Sequence, residues 1–464
     1  MKKNIFFVIT SDLFVRNYIF TNALKEIEKH NNIYFIACDK NVNLKKEIKK
    51  KKTFLGFYTF TDQQRKRYQN FYLSTLFKKK NKSKTIRIYI SKVLKLKLVY
   101  GNESISKIVF MFFFRIGSWL KRYLLFIYSN LYTYFFPKNN LLFSIEDNLK
   151  LDLLFKFYKP SLVIIPTQGD DIGYWYLSNF CKKNDIISLA IVDNWDNFSS
   201  RPHLDPKPDF YAAWSKQSKM HAKKFHNISP SKVFIIGSAR HDNYFSMREE
   251  NLKSYFNFNY ILFFESFGIT DGIEELFDIL DNILQTQKKL YGNLKLVYRP
   301  HPWQKTFKPI QINRYKNIIL DPQLKKNYEK NISSTRFQPD LSYYPALIKN
   351  AEFIISSPTT MLIESLIFRK KILLLAYDKN KKFGNCYYLK NCEHLINIEK
   401  NPSISICKNI KNLKNDLYKI YNQKNYSLEK KIDKHRNYYL DHVKNQPYKR
   451  RLNKIVQNLN LEND

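Results

Sequence analysis

Two groups of residues in the second half of the chain have the types and spacing needed to hold an anion. The first is Arg299-Pro300-His301-Pro302, which cuts off the apolar run Leu294 to Tyr298. The second is Ser356-Ser357-Pro358-Thr359-Thr360, set between Phe353-Ile354-Ile355 and Met361-Leu362-Ile363-Glu364-Ser365. Guanidinium and imidazole groups give charge-assisted hydrogen bonds to phosphate oxygens. Pro358 suits the first turn of a helix, where its missing N–H is no loss. Ser356, Ser357, Thr359 and Thr360 can cap that turn, whose free amides and dipole attract an anion. Glu364 falls one turn further on, on the face of Thr360, where a carboxylate can accept from ribose hydroxyls. Phosphate and ribose held at the carboxyl ends of parallel strands mean a nucleotide. Each motif has a plainer reading, the first as a turn and the second as an ordinary helix cap. Their joint strand–loop–helix setting favours the site.

These residues need a parallel sheet behind them, and the chain supplies the pattern twice. Residues 4 to 10 read as a buried strand, Asn17 to Lys29 as a helix with Ile19, Ala23 and Ile27 on one face, and Asn32 to Ala37 as the next strand. Leu162 to Pro166 and Ile186 to Val192 are further strands, ending at Thr167-Gln168-Gly169-Asp170-Asp171 and Asp193-Asn194-Trp195-Asp196-Asn197. Polar loops at such ends carry function in doubly wound sheets, and the second string also reads as a plain Asx-type turn. Arg16 stands near the mouth of the first strand, where it can touch an anionic acceptor or lie solvated in a loop. A second domain opens at Tyr260-Ile261-Leu262-Phe263-Phe264 and contains both anion motifs. The expected class is α/β, with two Rossmann-like domains facing across a cleft. The expected boundaries are an amino-terminal acceptor domain over 1–246, a linker over 247–259, a nucleotide-donor domain over 260–424 and a carboxy-terminal helical stretch over 425–464.

Arg299-Pro300-His301-Pro302 and Ser356-Ser357-Pro358-Thr359-Thr360-Met361-Leu362-Ile363-Glu364-Ser365 resemble the carboxy-domain motifs of bacterial surface-carbohydrate glycosyltransferases with the GT-B fold. Relatives of that family include the CDP-glycerol glycerophosphotransferases of teichoic-acid synthesis and capsule polysaccharide transferases. The resemblance extends upstream through Arg16-Asn17-Tyr18, Asp193-Asn194-Trp195-Asp196-Asn197 and the stretch from Ala212 to Ser238. Arg369-Lys370-Lys371 departs from it, since a Gly-Lys-Pro turn is usual there. The resemblance implies transfer from a nucleotide-activated sugar or glycerol donor to a glycan or lipid-linked acceptor, without a metal or other cofactor. Arg299, His301, Ser356, Ser357, Thr359, Thr360 and Glu364 would bind the donor, and Arg16, Asn17 and Trp195 the acceptor. The teichoic-acid relatives carry a histidine as proposed base at the strand end where this chain has aspartates. Asp193, Asp196 and Asp170 are therefore the candidate bases, in that order. The implied last helix returns to the first domain.

A chain of 464 residues suits two or three domains. Its net charge of +39 points to an anionic membrane surface, to anionic substrates or to a compositional bias towards lysine and asparagine. Nucleic acid is not an expected partner, because no finger spacing, RNP motif or basic zipper accompanies the charge. The five cysteines, Cys38, Cys181, Cys386, Cys392 and Cys407, form no C-x-x-C pair, which suits a reducing cytoplasm. Ile108 to Phe136 is aromatic and basic, interrupted by Arg115, Lys121 and Arg122. It reads equally as an interfacial helix of an insertion at about 78–137 and as two buried helices. The first reading places the protein in the cytoplasm, on the inner face of the cytoplasmic membrane. Two other functions share the pattern: a nucleotide-sugar epimerase of the same fold, and a non-catalytic membrane-associated assembly protein. A metal-dependent transferase would need an Asp-x-Asp at a strand end, which Asp170-Asp171 and Asp193-x-x-Asp196 do not provide.

Overall fold

The computed structural model describes residues 2–38, 53–62, 145–203, 205, 207–266, 273–301, 312–329, 340–377, 385–423 and 428–461, with scattered positions between 64 and 88 and at 127 and 131. Nearly all of the stretch 108–136 and of the expected insertion lies outside the described residues. The chain divides into two compact units: Met1–Ala239 together with His442–Asp464, and Arg240–Asp441. The division falls at the start of helix Ala239–Glu249, ahead of the stretch 247–259 expected as a linker.

Among the described residues, unit 1 is built on a seven-stranded sheet in the order β3-β2-β1-β4-β5-β6-β7. Its strands are β1 (Lys3–Ile9), β2 (Asn31–Ala37), β3 (Phe54–Phe57), β4 (Leu162–Thr167), β5 (Ser188–Val192), β6 (Phe210–Ala213) and β7 (Val233–Ile235). Every pairing is parallel. Parallel strands are covered on both faces, so their sequences run apolar without alternation. β1 shows this directly. Phe6 and Val8 enter one core with Val163 and Ile165, while Ile5, Phe7 and Ile9 enter another with Leu162 and Ile164. The second core also takes Leu452, Ile455, Val456 and Leu459 from the terminal helix Tyr448–Leu461. Burying such a side chain contributes about 1.5–3 kcal/mol, enough for four of them to hold the helix on unit 1. Lys3 Nζ donates to Asn460 O at 2.7 Å and fixes its end.

Unit 2 has a six-stranded parallel sheet in the order β10-β9-β8-β11-β12-β13. Its strands are β8 (Tyr260–Phe264), β9 (Lys295–Arg299), β10 (Ile318–Leu320), β11 (Ile354–Ser356), β12 (Ile372–Leu375) and β13 (Ile404–Cys407). In both sheets the first strand lies beside the fourth. That junction is where strand order reverses, and ligands of open α/β sheets settle outside the carboxyl ends there. The molecule thus has the expected α/β class, with two Rossmann-like sheets. Among the described residues no helix is long and apolar enough to cross a membrane.

The opening helix differs from expectation. Asn17 to Lys29 is not one helix: a π-turn spans Val15–Ile19 and an α-helix only Lys25–His30. The wide turn points Asn17 and Tyr18 inward, where both find a buried carboxylate. Helical periodicity loses to that polar network.

Candidate functional site

The unit 2 site stands at the carboxyl ends of β8, β9, β10 and β11. β9 and β11 flank β8, so their ends are about 10 Å apart at normal strand spacing. Arg299 closes β9 and is 5% exposed. Its Nε donates to the Tyr344 hydroxyl at 3.2 Å, and its guanidinium carbon lies 5.2 Å from the centre of that ring. Burial works against the charge, but Tyr344, Asp321 and Glu364 outweigh it and leave the Arg299 pKa above its ordinary value. The two Nη groups have no hydrogen-bond partner among the described residues. A buried, permanently charged group with its fork open is prepared for an oxyanion with two oxygens to offer. His301 follows, partly exposed.

The loop after β11 differs in part from expectation. The helix runs Met361–Ile367, so Pro358 precedes it by three residues, and no side chain caps it. Ser356 Oγ donates to Ser357 O at 2.8 Å, and the Ser357 amide donates to Phe264 O at 3.1 Å. Neither serine is a cap, because the neighbouring strand and loop already engage them. Thr359 and Thr360 are partly exposed; their carbonyls accept from Leu362 and Ile363, and their own amides have no acceptor among the described residues. The candidate phosphate amides are those two.

Glu364 is 6% exposed and meets two residues from the start of helix Ala239–Glu249. Its Oε1 lies 3.4 Å from His241 Nε2 and 3.6 Å from Arg240 Nη2. Arg240 Nε donates to the same His241 nitrogen at 3.2 Å. That nitrogen serves one neighbour at a time: bare, it accepts from Arg240; protonated, it donates to Glu364. Burial opposes the Glu364 charge, but His241, Arg240 and Arg299 prevail and bring its pKa down to about 2. Glu364 is therefore an anion, available to a hydroxyl donor only at oxygens its cationic neighbours leave open.

Sequence reasoning missed four contributors. Arg240 and His241 sit in a stretch that reads as the end of the first domain. Glu265, at the end of β8, accepts from the Tyr298 hydroxyl at 2.5 Å. Asp321, at the end of β10, accepts from the Tyr343 hydroxyl at 2.6 Å. A charged residue terminating an apolar run marked Arg299, and the same signal was present at Glu265 and Asp321.

In unit 1 the candidate aspartates are engaged within the unit. Asp193 follows β5, and Asn17 Nδ2 donates to its two oxygens at 3.0 and 3.1 Å. The Tyr18 hydroxyl donates at 3.2 Å, and burial, Tyr448 and Asp193 raise the Tyr18 pKa well above its usual value, keeping that proton in place. These three donations take up most of the lone-pair positions that a base would use. Asp170 takes a bond of 2.5 Å from Arg201 Nη1. Asp196 accepts from Ser200 Oγ at 2.9 Å, and its Oδ1 is enclosed with no partner among the described residues. Asn17 is committed to Asp193, and Trp195 is 1% exposed, so neither offers an acceptor the open surface expected of it. Arg16 is partly exposed and donates to Asn17 Oδ1 at 3.1 Å. Asp171 caps helix Ile172–Lys183, taking the Tyr174 amide at 2.7 Å and the Thr167 hydroxyl at 2.6 Å. Burial dominates those bonds and lifts its pKa to about 6.

The architecture is that of the GT-B-type α/β proteins, with two Rossmann-like units in one chain. Solved structures that share it include these two. A putative UDP-N-acetylglucosamine 2-epimerase from Listeria monocytogenes has a TM-score of 0.52 and 10% identity, over 95% of this chain and 93% of that one. The UDP-GlcNAc 2-epimerase from Methanocaldococcus jannaschii has a TM-score of 0.50 and 11% identity, over 99% of this chain and 100% of that one. At such identities the likeness is one of fold. No protein-family model matches the chain, and no curated protein matches it.

Proposed function

We propose that the chain is an enzyme acting on a nucleoside-diphosphate sugar, with the diphosphate held in unit 2. One observation carries this: Arg299 is buried at a strand end next to the reversal of strand order, its Nε fixed and its Nη pair open. The Thr359 and Thr360 amides would take further phosphate oxygens, and Glu364 a ribose hydroxyl. His301 would approach the same group from the end of β9. These donors meet the charge that grows on a departing diphosphate, which is where electrostatic stabilisation lowers a barrier.

Two reactions fit such a site. Epimerisation of the bound sugar is the reading supported by the fold neighbours, both named as UDP-GlcNAc 2-epimerases. Transfer to a glycan or lipid-linked acceptor is supported by the motifs around Arg299 and Ser356. It would require a base; Asp193 and Asp170 are engaged, and Asp196 keeps one enclosed oxygen without a partner among the described residues. Epimerisation would need a base as well, because inverting a sugar C–H centre takes a proton from one face and returns it to the other, so these aspartates do not separate the two reactions. A glycerophosphate donor, a role in capsule or envelope assembly, Arg16 as an acceptor contact and attachment to the inner membrane face belong to the transfer reading. The net charge of +39 supports that last element.

The test is incubation with UDP-N-acetylglucosamine alone, followed by proton NMR. A new sugar nucleotide without acceptor supports the epimerase. An unchanged substrate, with UDP released only when a lipid-linked glycan is added, supports the transferase. If no UDP-, CDP- or GDP-linked sugar shifts the melting temperature, the nucleotide reading falls.

A further inference from the structure

Helix Tyr343–Lys349 begins with two adjacent tyrosines that reach two neighbouring strand ends. The Tyr344 hydroxyl accepts from Arg299 Nε, and its ring lies against the guanidinium. Tyr343 donates to Asp321 Oδ1, which the Gln323 amide also meets at 3.0 Å. Asp321 is wholly buried, and its Oδ2 has no partner among the described residues. Arg299 and Asp321 feel each other's charge, yet among the described residues no ion pair engages Arg299. The two rings meet edge to face at 5.2 Å and 75°. Each tyrosine thus holds one of two opposite charges in its own place.

We infer that Tyr343 and Tyr344 are positioning residues that keep the Arg299 fork open and aimed, making unit 2 selective for a diphosphate over an uncharged or singly phosphorylated nucleoside. The inference rests on the nucleotide reading of this site. A free arginine side chain has about 2 kcal/mol of rotamer entropy to lose when it binds. Tyr344 removes much of that loss beforehand by fixing Nε, the one nitrogen not needed for a forked contact. Tyr343 keeps the Asp321 carboxylate from closing onto the fork and neutralising it. An aimed cation rewards a ligand that supplies several phosphate oxygens, and does nothing for a nucleoside.

The test is calorimetric binding of UDP, UMP and uridine to the full chain. Tyr344→Phe keeps the ring against the guanidinium and removes only the hydroxyl. It is expected to weaken UDP binding about 5- to 10-fold, the effect of one lost charge-assisted hydrogen bond, and to leave uridine binding unchanged. Tyr343→Phe is expected to weaken UDP in the same sense and to narrow the ratio of UDP to UMP affinity. The double variant Arg299→Ala/Tyr344→Phe should bind UDP no more weakly than Arg299→Ala, since a positioning residue has no effect once its object is gone. If Tyr344→Phe binds UDP like the wild type, or if its effect persists beside Arg299→Ala, the positioning role is overturned while the nucleotide reading stands. Failure of the wild-type chain to bind UDP, CDP or GDP overturns both.

Discussion

In unit 1 the carboxylates beyond β4 and β5 are met by donors of the same unit: Asp193 by Asn17 and Tyr18, Asp170 by Arg201, Asp171 by Thr167 and the Tyr174 amide. In unit 2 the end of β9 carries Arg299 with an open fork, and the helix after β11 carries Glu364 held ionised by Arg240 and His241. The two sheets have the same strand order up to the sixth strand. Topology therefore places chemistry at strand ends without deciding what it is. A satisfied polar group belongs to the fold, whereas a buried charge with unused donors waits for a ligand.

The largest expected effects come from removing one charge in each unit. Arg299→Ala should weaken nucleoside-diphosphate binding by about 100-fold or more, the loss of a bidentate charged contact, with a smaller change in stability. Asp193→Ala should do the reverse. It leaves the Asn17 and Tyr18 donors buried without acceptors, costing about 2–3 kcal/mol in urea unfolding, and leaves nucleotide affinity alone. If Asp193→Ala abolished binding in a chain of native stability, the contrast between the units would be broken.

Acid titration sharpens the contrast, because the two units respond with opposite sign. Asp171 has a folded pKa of about 6 against an ordinary 3.8, so the native state holds the proton more tightly. Its contribution is full below about pH 4 and is lost as pH rises through 6, an effect of about 3 kcal/mol in all. Asp171→Asn keeps the acceptor at the helix cap and should flatten that loss when urea unfolding is compared at pH 4.5 and 7.5. Glu364 has a folded pKa of about 2 against 4.5, so its contribution is full above 4.5 and lost as pH falls through 2. Glu364→Gln should remove that acid-limb loss, about 3 kcal/mol, and weaken nucleotide binding if the ribose role holds.

The smallest effect concerns Arg369, where the glycosyltransferases that the sequence resembles usually have glycine. Arg369 adopts φ +53°, the left-handed conformation that glycine accepts without strain. Its guanidinium donates to Asp433 at 2.7 and 3.2 Å and also reaches Glu429. Arg369→Gly should relieve backbone strain and lose those partly exposed pairs, for a net change within about 1 kcal/mol in thermal unfolding.

The double-wound α/β class was legible because long apolar runs ending in charge recur through the chain. The places of Arg299 at the end of one apolar strand and of Glu364 in the helix that follows another were legible for the same reason, as charged residues set against apolar runs. Arg240 and His241 were not, because nothing local in Gly237-Ser238-Ala239-Arg240-His241 says which unit the next helix joins. Capping at Ser356 and Ser357 was misread, since the bond from the Ser357 amide to β8 depends on a partner more than ninety residues away. The tripeptide Arg-Pro-His makes the limit plain, for it occurs twice. At 299–301 it ends a strand with an open guanidinium. At 201–203 the arginine is paired with Asp170, and His203 is stacked on Phe198 at 4.6 Å. Its ring crowds Gly169, where a Cβ would come within 2.6 Å of Nε2.

The most direct test is a crystal structure of the chain with UDP. Phosphate oxygens are expected about 2.7–2.9 Å from both Arg299 Nη atoms, with Nε still on Tyr344. UDP bound elsewhere, with the Arg299 fork turned to solvent, would contradict that placement.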